Sequence, residues 1–268
     1  MKDSDSLSEL PDRQRLEEWA VRQLEDYDAH NPGSLFDEGV VLSVDEAYEL
    51  QAEVARLRCR RGERVVGYKV GCTSPLIREQ LGIDQCVTGR LYDSEQHASG
   101  ATVSRAGFAN LAIEGELAVE LAREPTESDF VIDDIPPCVA RVFPVVELHN
   151  MVMRGEQPTA GELIANNAIH AGVVAGTGRA SEVASDDPSL VIYQDGQLLG
   201  ECFGGVLTST ISSSLKWLVG VVRARGEQLA AGQIVLTGSV PPLFPIRDDC
   251  LIRVEAPPFG SVDVEFTS

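Results

Sequence analysis

Cations are scarce in this chain: 22 lysines and arginines stand against 42 aspartates and glutamates, a formal net charge of −20 over 268 residues. A surface that tracks a phosphate backbone would place every basic contact in a repulsive field, so nucleic acid is excluded as an expected partner. Paired cysteines are lacking as well. The six cysteines, at positions 59, 72, 86, 138, 202 and 250, include no CxxC pair, and no histidine stands at zinc-finger spacing. Reduced thiols are therefore expected in place of a disulfide framework or a structural zinc site. No segment reaches the roughly 18 uninterrupted apolar residues of a membrane span. The opening MKDSDSLSEL is acidic and polar where a secretory signal carries basic residues and then an apolar run. A cytoplasmic protein without a membrane partner is the expectation.

What is present is an ordinary globular composition, 43% hydrophobic and 24% charged, in a chain long enough to bury a large core. The first ten residues read as frayed. Leu16, Ala20, Leu24 and Tyr27 recur at helical spacing, and Ser43 with Glu46 fits a capping box ahead of the apolar stripe Ala47, Leu50, Val54 and Leu57. Residues 12 to 61 thus read as two helices. RVVGYKVG reads as a strand, and Ser74-Pro75 as the start of a short helix through Leu81. Segments near 113–121, 142–149, 171–176, 190–194, 234–237, 251–255 and 262–266 are strand-like, with Asp195-Gly196 as a hairpin turn. A late helix carries Leu215, Leu218, Val219 and Val222 on one face and stops at Gly226. With no internal repeat or long low-complexity linker, this mixture predicts a single α+β domain.

Chemistry concentrates in three segments. In LAIEGELAVEL, strand alternation sends Glu114, Glu116 and Glu120 to one face and Ile113, Leu117, Val119 and Leu121 to the other. If that acidic face is buried, one carboxyl must hold a proton or a cation must sit between them; if exposed, the glutamates are merely solvated. FPVVELH favours burial, because Glu147 lies between Val146 and Leu148 in an apolar strand, with His149 on its own face. Three carboxylates suit Mg²⁺ or Mn²⁺, which take oxygen ligands and keep positions open for water or a chelating substrate. His149 reads as a packing neighbour of such a site and is left outside the ligand set. Lys69 alternates with Val65, Gly67 and Gly71, while Val66, Tyr68 and Val70 face the other way, so glycines flank the ammonium. It would bind a carboxylate or stabilise an enolate, or else serve as an edge-strand lysine that discourages aggregation.

Taken in order, GERVVGYKVGCTSPLIREQLGIDQCVTGRLYD, IEGELAVEL, FPVVELH and GQIVLTGS resemble the 2-keto-4-pentenoate hydratase and 4-oxalocrotonate decarboxylase group of the fumarylacetoacetate hydrolase superfamily. The resemblance runs from about residue 40 to the C-terminus. It implies the mixed β-roll fold, with residues 1–61 as an N-terminal helical segment integral to it and 62–268 as the metal-binding catalytic region. It further implies one Mg²⁺ or Mn²⁺ ion, a homo-oligomer and a small 2-oxo acid substrate. By the same resemblance the metal ligands fall on Glu114, Glu116 and Glu147, and the catalytic residues on Lys69 and Asp84. Substrate contacts fall on Asn167, Thr237, Gly238 and Ser239.

Two departures bear on substrate. IANNAIHAG places Asn166 and Ile169 where the group commonly has an acid and a serine, and GGVLTSTISSSLKWL lacks the usual Gly-His-Pro stretch. The reaction implied is hydration of a 2-hydroxydienoate. Decarboxylation of an oxalocrotonate and hydrolysis of an acylpyruvate stay open, because all three develop charge on the 2-oxo oxygen. A non-catalytic binder of 2-oxo acids is the alternative of a different class.

Overall fold

The computed structural model describes residues 13–131, 134–155, 159–181 and 188–268, so the expectation about the first ten residues lies outside it. The chain begins with helices α1 (Arg13–Asp28), α2 (Ser34–Asp37) and α3 (Val44–Arg60). Strand β1 (Val65–Gly71), helix α4 (Pro75–Leu81) and strands β2 (Val87–Tyr92), β3 (Gln96–Ala98), β4 (Ala101–Ser104), β5 (Leu111–Leu121) and β6 (Val139–Asn150) follow. Next come α5 (Ala160–Ala165), β7 (His170–Ala175), β8 (Arg179–Ala180), β9 (Ser189–Gln194), β10 (Gln197–Phe203) and α6 (Val206–Ala224). The chain closes with β11 (Ile234–Leu236), β12 (Phe244–Pro245), β13 (Cys250–Ala256) and β14 (Gly260–Thr267).

Two sheets result. The larger, in the order β2-β1-β11-β5-β6-β7-β3 with β12 added to β5 and β8 to β6, has nine strands; the smaller runs β10-β9-β13-β14-β4. Strand β2, at one end of the large sheet, also packs against β7 near the other end, so the sheet curls into a roll. Its outer face, with Ile113, Leu117, Val119, Val146 and Leu148, meets Leu190, Ile192, Ile252 and Val254 of the small sheet and Leu215, Leu218 and Val222 of α6. Each such side chain, fully buried, contributes about 1.5–3 kcal/mol. Gly115 lies directly against the small sheet: a Cβ there would lie 2.7 Å from Ile192 Cδ1.

The inner face of the roll is divided. Ala118, Phe143, Val145, Val173 and Leu236 form an apolar cluster at one end. Alternation along β5 and β6 then carries Glu116, Glu114, Glu147 and His149 onto the same inner face further along. The three N-terminal helices share a second core with Val87, Ala160, Ile164 and Ala168, and Gln51 ties α3 to both neighbours by donating to the carbonyls of Thr88 and Ile164.

Local chemistry accounts for most boundaries. The Ser43 and Glu46 capping box forms, with side chain and backbone bonds in both directions. Gly82 ends α4 in the left-handed conformation at φ 65°. The alternation read for β1 is corrected at one point: the β1–β2 register shifts between Val65 and Gly67, so Val65 packs with Tyr68 and Val70 while Val66 packs with the inner cluster. Gly67 owes its place to backbone approach and not to room beside an ammonium, since a Cβ there would lie 1.9 Å from the Ile234 carbonyl oxygen on parallel strand β11. Among the described residues, no helix is long and apolar enough to cross a membrane.

Candidate metal centre

The inner face of β1, β5 and β6 gathers Lys69, Glu114, Glu116, Glu147 and His149, and β7 adds His170. Glu116, Glu147, His149 and His170 are each 1% exposed, while the Glu114 side chain keeps 24% of its surface open. Lys69 Nζ lies 3.2 Å from Glu147 Oε1, and His170 Nδ1 approaches the same oxygen at 2.7 Å. His149 Nε2 stands 3.3 Å from Glu114 Oε2 and 3.5 Å from Glu147 Oε2. On the far side, Glu116 Oε2 accepts a hydrogen bond from the Gly238 amide.

Charge is apportioned unequally among these acids. Burial opposes ionisation of Glu147, but Lys69, His149 and His170 outweigh it and hold that carboxyl well below the usual range. Glu116 goes the opposite way: burial first, then repulsion from Glu147 and Glu114, raises it well above the carboxylate norm. Of the two, Glu147 carries the charge because the Lys69 ammonium faces it, and Glu116 keeps the proton. Lys69 stays charged, because attraction to Glu147 first and then to Glu114 overcomes the effect of its burial.

A divalent cation fits this set. Glu116 Oε1 and His149 Nε2 are buried without a hydrogen-bond partner, which in a folded protein is costly unless something else takes the lone pairs. One atom each from Glu114, Glu147 and His149 can be chosen so that all lie within 4.8 Å of one another, the compactness a shared ion requires. Charge on an ion would also remove the need to protonate Glu116.

Glu114 and His149 open onto a cavity of about 510 Å³, the size of a small-molecule site. Its walls are apolar: Ile77 and Leu81 of α4, Leu163, Ile169 and the Pro241–Leu243 segment, and among the described residues lining it the one cation is Lys69. Asn167, Ala168 and Ile169, with φ near 55°, 52° and 55°, are successive non-glycine residues in left-handed conformation. Such backbone costs roughly 1–2 kcal/mol per residue. Asn167 offsets it by accepting from the Arg90 amide and donating to the Arg90 carbonyl, which pins the turn to β2.

The residues expected from sequence are thus distributed unevenly. Lys69, Glu114, Glu116 and Glu147 come together. Asp84 does not: it is exposed on the segment between α4 and β2, outside the cavity that holds Lys69. The Asn167 side chain is consumed by Arg90. Thr237 donates to the Leu117 carbonyl and Ser239 to those of Gly115 and Pro241, so both hydroxyl protons serve the fold. Ser239 and Gly238 still line the cavity. Gly238, at φ 96°, has no room for a side chain, since a Cβ would lie 2.5 Å from Thr73 Cγ2. His170 was not singled out from sequence. Its partner Glu147 is 23 residues away and no periodicity links them.

No family model matches the chain. It is 28% identical over 223 residues to a 2-keto-4-pentenoate hydratase of Burkholderia vietnamiensis, covering 82% of this chain and 85% of that protein. A 2-hydroxyhexa-2,4-dienoate hydratase of Comamonas testosteroni is 26% identical over 263 residues, 96% of this chain and 100% of its own. The chain is a relative of these hydratases. Among solved structures, the 4-oxalocrotonate decarboxylase of Pseudomonas putida complexed with magnesium and adipate superposes with a TM-score of 0.83 at 25% identity, covering 95% of this chain and 98% of that one. A fumarylpyruvate hydrolase of Pseudomonas aeruginosa in complex with Mn²⁺ and pyruvate, 14% identical with a TM-score of 0.57 over 75% of this chain and 88% of its own, shares the fold. The mixed α+β roll with N-terminal helices expected from sequence is therefore the fold of the fumarylacetoacetate hydrolase type.

Proposed function

We propose that this hydratase relative is a metal-dependent hydro-lyase that adds water to a 2-hydroxydienoate, yielding a 4-hydroxy-2-oxo acid. The observation that carries the reading is half-buried Glu114 with buried Glu116 and Glu147 beside a charged Lys69, opening on an apolar cavity of about 510 Å³. These residues, as the ion's carboxylate ligands, would hold Mg²⁺ or Mn²⁺. The ion, when bound, supplies electron withdrawal at the 2-oxo and carboxylate oxygens of the substrate.

The chain's own residues do the rest. Lys69 places an ammonium where negative charge grows on the substrate's oxygens, and its contact with Glu147 keeps that ammonium aimed and charged. His170 orients Glu147 from behind through its 2.7 Å contact. The Gly238 amide fixes Glu116, while Gly238 and Ser239 form the wall against the substrate head. Asp84 is the proton-handling residue in this reading; it lies on the segment that follows α4, whose Ile77 and Leu81 line the cavity. Asn167 acts on substrate through the turn it anchors, which presents Ala168 and Ile169 to the cavity.

The apolar lining favours a substrate with one carboxylate over a diacid, because a second carboxylate would be buried with no cation beyond Lys69 among the described lining residues to meet it. This supports hydration of a monoacid over decarboxylation of an oxalocrotonate. In the same reading segment 1–61 and the roll 62–268 are one folding unit, the described helices from residue 13 onward being joined to the roll through the shared second core. A cytoplasmic homo-oligomer completes the proposal, its assembly measurable by light scattering of the purified chain. Product identification after incubation with 2-hydroxypenta-2,4-dienoate tests the activity: a 4-hydroxy-2-oxo acid supports it, and an unchanged dienoate refutes it.

A further inference from the structure

His149 is the feature of the centre that an all-carboxylate ligand set leaves without a purpose. Its ring is 1% exposed, and Nε2 faces two carboxylate oxygens at 3.3 and 3.5 Å, yet it forms no hydrogen bond with either. Had the ring served as a donor to Glu114 or Glu147, its N–H would lie on one of those oxygens. Instead the nitrogen stands near an oxygen of each carboxylate, with one atom from each of the three residues within 4.8 Å of the others. Atoms bonded to one ion at about 2.1 Å stand about 3.0 Å apart across a right angle and about 3.4 Å apart across a tetrahedral one, so the observed separations are those of neighbouring ligands. Glu116, whose Oε2 is taken by the Gly238 amide, has only Oε1 to offer the ion, whereas Glu114, Glu147 and His149 form the compact group. His149 and Glu114 are also the two members that line the cavity, which places them on the side where substrate enters.

We propose that His149 is a nitrogen ligand of the divalent ion, and that it turns the centre toward ions of the Fe²⁺, Co²⁺ and Zn²⁺ class and away from Mg²⁺. The inference rests on the metal-centre reading given above and departs from it in the identity of the ion. Imidazole is a borderline donor that suits later first-row metals, whereas Mg²⁺ binds oxygen and keeps water in preference to nitrogen.

The test is metal binding by the full-length chain, stripped with a chelator and reloaded. Mn²⁺, which is paramagnetic and accepts both nitrogen and oxygen, reports directly coordinated nitrogen through electron spin-echo modulation. The unsubstituted protein shows imidazole ¹⁴N coupling, His149→Gln abolishes it, and His170→Gln retains it. In calorimetric titrations His149→Gln weakens Co²⁺ by at least about tenfold and Mg²⁺ by less than about threefold. Bound Mn²⁺ without ¹⁴N coupling in the unsubstituted protein, or equal weakening of Co²⁺ and Mg²⁺, overturns the nitrogen ligand and leaves the carboxylate centre standing. Failure of the unsubstituted protein to bind any of the three ions overturns the metal centre itself. The spin-echo result on the unsubstituted chain decides the matter even if a variant folds poorly.

Discussion

Lys69 Nζ and Glu147 Oε1 lie 3.2 Å apart on adjoining regions of the roll's inner face, both almost wholly buried. Neither would keep its charge alone at that depth. The pair therefore links the electrostatics of the centre to its stability, and the consequences of removing each member differ.

Removing Glu147 leaves a buried ammonium and His170 without their common partner, and losses of 3–5 kcal/mol are typical when one member of a buried ion pair is deleted. Glu147→Gln should accordingly lower the midpoint of urea unfolding as well as weaken Mn²⁺ binding. Glu114→Gln and Glu116→Gln should each weaken Mn²⁺ binding by about tenfold or more with the circular dichroism spectrum unchanged. Calorimetric Mn²⁺ titration of the three variants checks the set, and tight binding by all of them contradicts it.

Lys69→Met removes the ammonium without removing a metal ligand. Turnover should fall by about a hundredfold or more while Mn²⁺ affinity changes far less, because the proposed interaction strengthens as charge develops on the substrate. Unchanged turnover on an established substrate would remove Lys69 from the mechanism.

The raised Glu116 carboxyl sets a pH dependence for the metal-free protein. A group whose pKa rises on folding contributes stability that is full below its unfolded value and is lost as pH climbs toward its folded value. In metal-free protein, Glu116→Gln should therefore gain on the unsubstituted chain as pH rises above ~4.3, by up to about 1.4 kcal/mol per pH unit. Urea unfolding at pH 5 and pH 7 measures this, and a gain that stays the same between the two would show that Glu116 is charged in the folded state.

Ile169 stands in the cavity wall with φ 55°, a conformation that penalises β-branched residues. Ile169→Ser should leave stability unchanged or slightly raised. It should also reduce the preference for a methyl-terminated 2-hydroxydienoate over a carboxylate-terminated one, which for the unsubstituted protein is expected at roughly a hundredfold in kcat/KM. Preference for the diacid by the unsubstituted protein would reveal a cation that the described cavity does not contain.

How much of this was legible beforehand follows from the range of each signal. The inward projection of Glu114, Glu116 and Glu147 depends on alternation within single strands, and strand periodicity is local, so it was readable. The helix cap at Ser43 and the turn at Asp195-Gly196, which joins β9 and β10, were readable for the same reason. Strand β2 and helix α5 carry no comparable signature, since β2 is buried at every position and offers no alternation, and α5 is only six residues long. The one-residue shift near Val65 reversed part of β1 because bulges arise from pairing. The meeting of His149 with two acids and of His170 with Glu147 depends on three strands brought side by side. The commitment of the Thr237 and Ser239 hydroxyls to strand carbonyls is likewise visible only once β5 and the chain after β11 are paired.

The decisive measurement is made on the full-length chain loaded in turn with Mn²⁺ and Mg²⁺, supplied separately with 2-hydroxypenta-2,4-dienoate and 4-oxalocrotonate, with products identified by mass spectrometry. Consumption of the dienoate with gain of one water, dependent on metal and lost in Lys69→Met, is the predicted result. Release of carbon dioxide from 4-oxalocrotonate with no hydration of the dienoate would contradict it.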